Sequence, residues 1–264
     1  MTLTRRQRKR LGRWIALGAP AALVAVALLA TDWGRLQAAF FEPDIAAELF
    51  PEIITVAARN TLVITAFSFV GGLLLVLPAA LLRLSPVRAY RWVGTAYVEF
   101  FRGIPALVTL IFVGFALPIA MGTRVPGGDN GPKVLGLSLV AGAYIAEVIR
   151  AGIQGVPKGQ VEAARSLGMG PVQTMVSIVL PQALRIVTPP LTNELVLLLK
   201  DSSLVYVLGT TSGGEELTKF GRDALAKNFD GTPITMIALT YLVISVLLTR
   251  VSAWLEHRGA VSRP

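Results

Sequence analysis

Long uncharged stretches alternate along this chain with short polar stretches rich in glycine and proline. Apolar runs occupy 14–30, 61–82, 103–121 and 233–249. A helix rises 1.5 Å per residue and needs roughly 17–25 residues to cross ~30 Å of hydrocarbon, so each run is long enough or nearly so. Two further runs, 134–149 and 183–208, carry embedded polar residues but are otherwise apolar. Together the runs predict an all-α integral membrane protein with six spans, at 14–31, 56–82, 96–120, 134–152, 183–208 and 233–255.

The connections are punctuated by turn formers. Between the first two spans lies a segment, 32–55, with Phe41-Glu42-Pro43-Asp44, whose apolar residues suit a surface-resting element. The turn at 84–86 is short, and 122–133, with Gly127-Gly128-Asp129-Asn130-Gly131-Pro132, reads as irregular. Thr232-Pro233 reads as a helix start, with a capping side chain and a proline in the first turn. In 209–231, Leu217, Phe220, Ala224 and Leu225 recur at helical spacing against Lys219, Arg222, Asp223 and Lys227. That segment is either a short amphipathic helix in the outer interface or a solvated loop.

Composition agrees with a membrane chain: 53% of the 264 residues are hydrophobic and 16% charged, against about a quarter charged in soluble domains. The net charge of +9 would suit nucleic acid if it were spread over one surface, but its placement argues otherwise. Arg5, Arg6, Arg8, Lys9, Arg10 and Arg13 precede the first span. Arg83, Arg88 and Arg91 follow the second, Lys158 and Arg165 the fourth, and Arg250, Arg258 and Arg263 the last. A single orientation puts all of these clusters on the cytoplasmic side, with both termini there, as the positive-inside bias requires. No nucleic-acid partner is implied. The N-terminal run also fits a signal peptide, but Leu28 spoils the small-x-small pattern before Thr31, which favours an uncut anchor. The absence of cysteine excludes a disulfide framework and thiolate metal sites, and the lone His257 lies beyond the last span, so no metal site is expected.

Two polar constellations carry chemistry. The first is the loop 155–181. Pro157 can open a short helix and Gly168 can end it, glycine adopting the left-handed cap at little cost. Gln160, Ala163, Ala164 and Leu167 then share one small, apolar face, while Glu162 and Arg165 pair at i, i+3 on another. Such a face suits either rest on the membrane or insertion into a groove on another protein. The second is a stripe on the fifth span, where Asn193, Glu194, Lys200 and Asp201 cluster on one broad side just after Pro189 and Pro190. Polar groups at that depth normally face a bundle interior or an aqueous path, and Asn193 and Glu194 are the candidates for lining one. Lys200 suits the outer headgroups. Glu99, Arg102, Glu147 and Arg150 fall near inner helix ends, where snorkelling and intersubunit ion pairs that hold or gate an inner mouth are expected.

The order Glu162-Ala163-Ala164, three residues, Gly168, nine residues, Ile178, one residue, Leu180-Pro181 resembles the EAA loop of the membrane-spanning subunits of ATP-binding-cassette (ABC) importers. Glu99-Phe100-Phe101-Arg102-Gly103-Ile104-Pro105 resembles the E-x-x-R-G-x-P segment of the branch that handles histidine, glutamine, glutamate, arginine or cystine. Thr61-Leu62, 146–153, 189–194 and 200–204 fit the same branch. The resemblance implies a permease core over 56–255 preceded by an extra helix at 14–31, with a basic start at 1–13 and a short tail at 256–264. It implies a bacterial inner-membrane location, two P-loop ATPase subunits, a second permease chain (identical or related), an extracytoplasmic binding protein, and a polar amino acid as cargo. Glu162, Ala163, Ala164, Leu167 and Gly168 would couple to the ATPases, and Asn60, Thr61, Asn193, Glu194, Asp201 and Ser202 would border the path. No Gly-Lys dipeptide occurs, so ATP and Mg would be bound by the partner and this chain would not itself be an enzyme. The other classes are an ATP-independent channel or secondary carrier, which has no use for such a loop, and an intramembrane hydrolase, for which His257 is misplaced.

Overall fold

A computed structural model describes residues 5–211 and 213–261, with side chains described over 18–254 except at 81, 84 and 212. The side chains of the basic start and of the tail with His257 lie outside the described residues. No strand occurs among the described residues. The chain runs through α1 (Arg5–Ala30), α2 (Trp33–Phe40), α3 (Pro43–Leu49), a wide turn Ile53–Ala58 continuous with α4 (Arg59–Leu84), and α5 (Arg88–Gly103). Next come α6 (Ala106–Ile111, prolonged to Met121), α7 (Asn130–Gln154) and the short α8 (Lys158–Ser166). The helix α9 spans Pro171–Leu208, α10 is Leu217–Asn228 and α11 is Thr232–Val261. Four helices are long and apolar enough to cross a membrane alone, and two bent pairs give six if each counts as one span.

The core is organised around α4 and α7, two parallel helices that meet more extensively than any other described pair. They approach through small residues. A Cβ on Gly71 would lie 2.3 Å from Ser138 Oγ, and one on Gly72 would lie 3.1 Å from the Ala141 Cβ. Gly142 faces Tyr97 Oη at 2.7 Å and the Gly72 carbonyl at 3.2 Å on the same measure. Ser138, Ala141, Gly142 and Ile145 repeat at helical spacing, so one side of α7 is kept narrow for its neighbour. Ile64, Val98, Leu110, Leu137, Ile145, Leu198 and Val205 fill the remaining space, drawing α5, α6 and α9 onto the pair. α1 by contrast stands clear of the core, with Leu23 74% and Leu29 87% exposed, as suits a helix whose neighbour is lipid.

The third span is not the single helix 96–120. It begins at Arg88 and turns through 108° between Gly103 and Ala106. Pro105 has no amide proton to continue the ladder, and the residue before it is driven out of the helical region; Ile104 sits at φ −107, ψ 148. The fifth span starts earlier than 183 and is not interrupted at Pro181, because the wide turn Met175–Val179 absorbs the proline and the helix resumes at Leu180. It also runs through Pro189 and Pro190. The segment 209–231 is the amphipathic alternative, since α10 forms there and packs on α11 with Leu217 fully buried. Thr232 and Pro233 do begin α11, but the Thr232 hydroxyl accepts from the Glu42 amide at 2.9 Å while Asp230 caps the Thr232 amide at 2.7 Å. The segment 32–55 is thereby anchored to the start of the last span.

Gly142→Leu should therefore overpack the α4–α7 contact and cost roughly 1–3 kcal/mol, lowering the melting temperature in detergent. Gly18→Leu, where nothing lies within 4 Å, should leave it unchanged.

Candidate functional site: coupling loop, ion cluster and polar stripe

Pro157 leads into α8, and the chain leaves it by a left-handed turn at Gly168, φ +82, with the Met169 amide returning to the Ala164 carbonyl at 3.1 Å. A side chain at Gly168 would strain this exit. The predicted face divides. Ala164 is 4% exposed and turned into the protein, where α8 packs on the Met175–Val179 turn beside Val156, Val179 and Ala183. It is not available to a docked partner: at 100° per residue it stands at the inner edge of the arc that 160, 163 and 167 share, a full step from Ala163, and that edge faces the bundle. Gln160, Glu162 and Ala163 are exposed, and Leu167 is 84% exposed. Val172, 76% exposed in the next turn, joins Leu167 as an outward apolar residue. The Pro171-Val172 pair at a helix start was the signal for it.

At the same end of the bundle one carboxylate serves three guanidinium groups. Glu147 accepts from Arg83 Nη1 at 3.2 Å, from Arg150 Nε at 3.0 Å and from Arg150 Nη2, and Arg102 Nη1 stands 4.0 Å away. Arg102 also lies over the Tyr144 ring, 5.4 Å from its centroid. Arg102, Glu147 and Arg150 thus pair within one chain, where pairs between subunits are expected from the sequence. Glu99 is exposed and takes no part. Arg83 joins them across the α4–α7 contact; in the sequence it counts only as one more inward charge.

The stripe on α9 divides as well. Asn193 and Lys200 are exposed, and Glu194 and Asp201 half-buried, with the charges of Asp201 and Arg102 both acting on Glu194. Ser202 and Thr61 are buried and engaged with the backbone, and the Asn60 amide nitrogen is engaged as well. Ser202 is fully buried and donates to the Leu199 carbonyl at 2.6 Å. Thr61, also fully buried, donates to the Ala57 carbonyl at 2.9 Å and accepts from the Leu217 amide at 3.0 Å. The Asn60 amide donates to the carbonyls of Gly213 and Glu215, both at 3.0 Å.

These last residues belong to a strap at the opposite end of the bundle. Asp129 accepts from the Thr211 amide at 2.6 Å and hydroxyl at 2.7 Å, and the amide bond above all holds its carboxyl below the usual range. Glu216, 1% exposed, caps α10 by accepting from the Thr218 and Lys219 amides at 2.7 and 2.8 Å and from the Tyr241 hydroxyl at 3.2 Å. Burial pushes its carboxyl up, against those hydrogen bonds. Lys133 is buried among these acids, 1% exposed, with Asp129, Glu215 and Glu216 acting on it. Nothing in the local pattern separates Lys133 from an ordinary loop-end lysine, because its burial depends on a strap some eighty residues away.

A family described as binding-protein-dependent transport system inner membrane component matches residues 68–260, which take in the loop, the ion cluster and the stripe. The chain belongs to that family. Among similar proteins, the L-cystine transport system permease protein TcyB of Bacillus subtilis (strain 168) is 36% identical over 217 residues, 81% of this permease and 90% of the relative. The arginine transport system permease protein ArgU of Corynebacterium glutamicum is 34% identical over 262 residues, covering 93% of this permease and 79% of the relative. The crystal structure of an amino acid ABC transporter with histidines aligns at a TM-score of 0.74 and 31% identity, covering 81% of this permease and 96% of that chain. The permease is accordingly a multi-pass membrane protein with the transmembrane fold of an ABC importer.

The Asp129 bonds give a test of the strap. A carboxyl whose folded pKa lies below its ordinary value contributes stability above that ordinary value and loses it as pH falls through the lowered one. Amide exchange at Thr211 should stay slow through mild acid and rise only below the usual carboxylate range. Relative to the intrinsic rate at each pH, Asp129→Asn should lower the protection of that amide at neutral pH and remove the loss of protection in acid.

Proposed function

We propose that this permease forms the path for a polar amino acid in an ATP-driven importer and receives the work of ATP hydrolysis at 158–172. The observation that carries the reading is the pair of outward apolar residues, Leu167 and Val172, on a turn fixed by Gly168 and backed by α8 packed into the bundle. Apolar side chains projecting beyond a membrane span, on a rigid base, suit a groove on a soluble partner. Two P-loop ATPases would each grip one such loop on two permease chains, and a binding protein would deliver cargo to the opposite end. The names of the relatives, for cystine and arginine transport, support an amino acid as the cargo.

Sidedness follows from charge. Arg83, Arg88, Arg91, Lys158 and Arg165 gather at the loop end, while Glu48, Glu52, Glu215 and Asp223 line a hollow at the other. The positive-inside bias supports a cytoplasmic loop and cytoplasmic termini. Asn193 and Glu194 border the path: they are polar groups in a span that lack full burial, and lipid is a costly neighbour for them. The Glu194 carboxylate suits the ammonium of an amino acid. ATP binding and hydrolysis belong to the partner subunits.

Co-purification and vesicle uptake test the reading. The tagged permease should recover a P-loop ATPase, and Leu167→Asp with Val172→Asp should lower that recovery at least tenfold, the scale of about 1.4 kcal/mol. Uptake should require ATP; persistence in its absence, or full ATPase retention by the double variant, contradicts coupling here. Glu194→Gln with Asn193→Ala should lower uptake about tenfold or more while leaving ATPase recovery intact, and unchanged uptake removes those residues from the path.

A further inference from the structure

The loop end also holds an open hollow of ≈ 790 Å³, between the end of α4, the first turns of α5 and the end of α7. Arg83, Arg88, Arg91 and Arg150 line it, with the Trp92 indole beside them and no carboxylate in the lining. The nearby Glu147 offsets only part of this charge, since it already serves Arg83, Arg102 and Arg150. Arg88 has no ion pair among the described residues, and Arg91 donates only to the Ser85 carbonyl, at 3.5 Å. Four guanidinium groups therefore converge on one space with a fraction of one counter-charge.

The depth of the hollow identifies what could neutralise it. Trp92 is 73% and Tyr90 55% exposed, with Val87 and Val93 exposed around them. Exposed Trp and Tyr on a membrane protein belong to the headgroup level, where their amphipathic rings are stable. α5 begins with basic residues and shows this aromatic and apolar surface outward, so the first turns of the third span stand at the headgroup level. A site that is cationic, arginine-rich and flanked by apolar surface at this depth suits a phosphate carrying an acyl tail. Guanidinium forks take phosphate oxygens in pairs, and basic pockets between helices on the cytoplasmic side are suited to anionic headgroups.

We propose that this hollow binds the phosphate headgroup of an anionic phospholipid, held by Arg88 and Arg91 with Trp92 against the glycerol and upper chain. The proposal rests on the cytoplasmic sidedness given above for its leaflet, but not on the transport reading. Arg83 and Arg150 face the same space, so a phosphate there draws on donors that also hold Glu147, and lipid occupancy acts on the ion cluster. A free phosphate ester shares the headgroup's chemistry and lacks only the tail.

The purified transporter complex in nanodiscs of phosphatidylglycerol mixed with phosphatidylcholine, examined by native mass spectrometry, provides the test. The complex should retain phosphatidylglycerol in preference to phosphatidylcholine. R88Q/R91Q should bind it about twenty-five-fold more weakly, the product of roughly fivefold for each basic group near an anionic surface, with an unchanged melting temperature. R88K/R91K, which keeps the charge but not the paired guanidinium donors, should bind more tightly than R88Q/R91Q and more weakly than the parent, and millimolar inorganic phosphate should not displace the lipid. Equal retention by R88Q/R91Q overturns the proposal, as does binding lost equally in both variants. Displacement by inorganic phosphate alone would assign the hollow to free phosphate esters. ATPase release from R88Q/R91Q with lipid retention unchanged would assign it to a soluble partner. Lipid binding in a nanodisc is indifferent to orientation and to uptake, so a negative result leaves the importer reading standing.

Discussion

Between helices in lipid there is no hydrophobic gain, because acyl chains are as apolar as leucine; close contact and hydrogen bonds must hold the bundle. In this protein that requirement falls on Gly71 and Gly72 against Ser138, Ala141 and Gly142. The contact fixes the relative height of two parallel helices, and much else is placed by it. Toward one end it brings Arg83 of α4 within hydrogen-bond reach of Glu147 of α7. Toward the other it sets Asn60 and Thr61, at the start of α4, beside the strap that Asp129 holds from the start of α7. The ion cluster and the strap are thus two ends of one rigid pair.

Work applied at the loop has a continuous element to travel along. α8 rests on the Met175–Val179 turn, that turn opens α9, and α9 carries Asn193, Glu194 and Asp201 before ending at Leu208, just before the strap. The wide turn matters mechanically. Pro189 and Pro190 are carried within the helix, while Pro181, which has no amide proton for the ladder, stands just after the wide turn. One extra residue in the turn lets the chain pass it without a change of element.

Spans and their order were legible because apolar runs of membrane length have few other uses. The loop was legible because Pro157 and Gly168 bracket it. What escaped was whatever depends on rotation or distance. The Ala163–Ala164 pair has one chemistry, but a 100° step sends Ala163 outward and Ala164 into the core. Ile104-Pro105 turned a run long enough for one straight span into two helices, since apolar content says nothing about direction. Thr61, Asn60 and Ser202 look like path residues by type, yet their donors are used by Gly213, Glu215, Ala57 and Leu199. Buried polar groups in a membrane chain are as often fasteners as ligands, and only their partners tell which.

The three-to-one ratio at Glu147 has a consequence for motion. Where an acid and a base are matched singly, separating them strands both, and the penalty resists movement. Here the acid keeps Arg83 and Arg150 if Arg102, the most distant of the three at 4.0 Å, moves off. Tyr144 and Glu147 stand on the same helix, so Arg102 would leave both together and exchange them for solvent, to which it is already partly open. Of the three contacts it is the one whose loss strands no carboxylate.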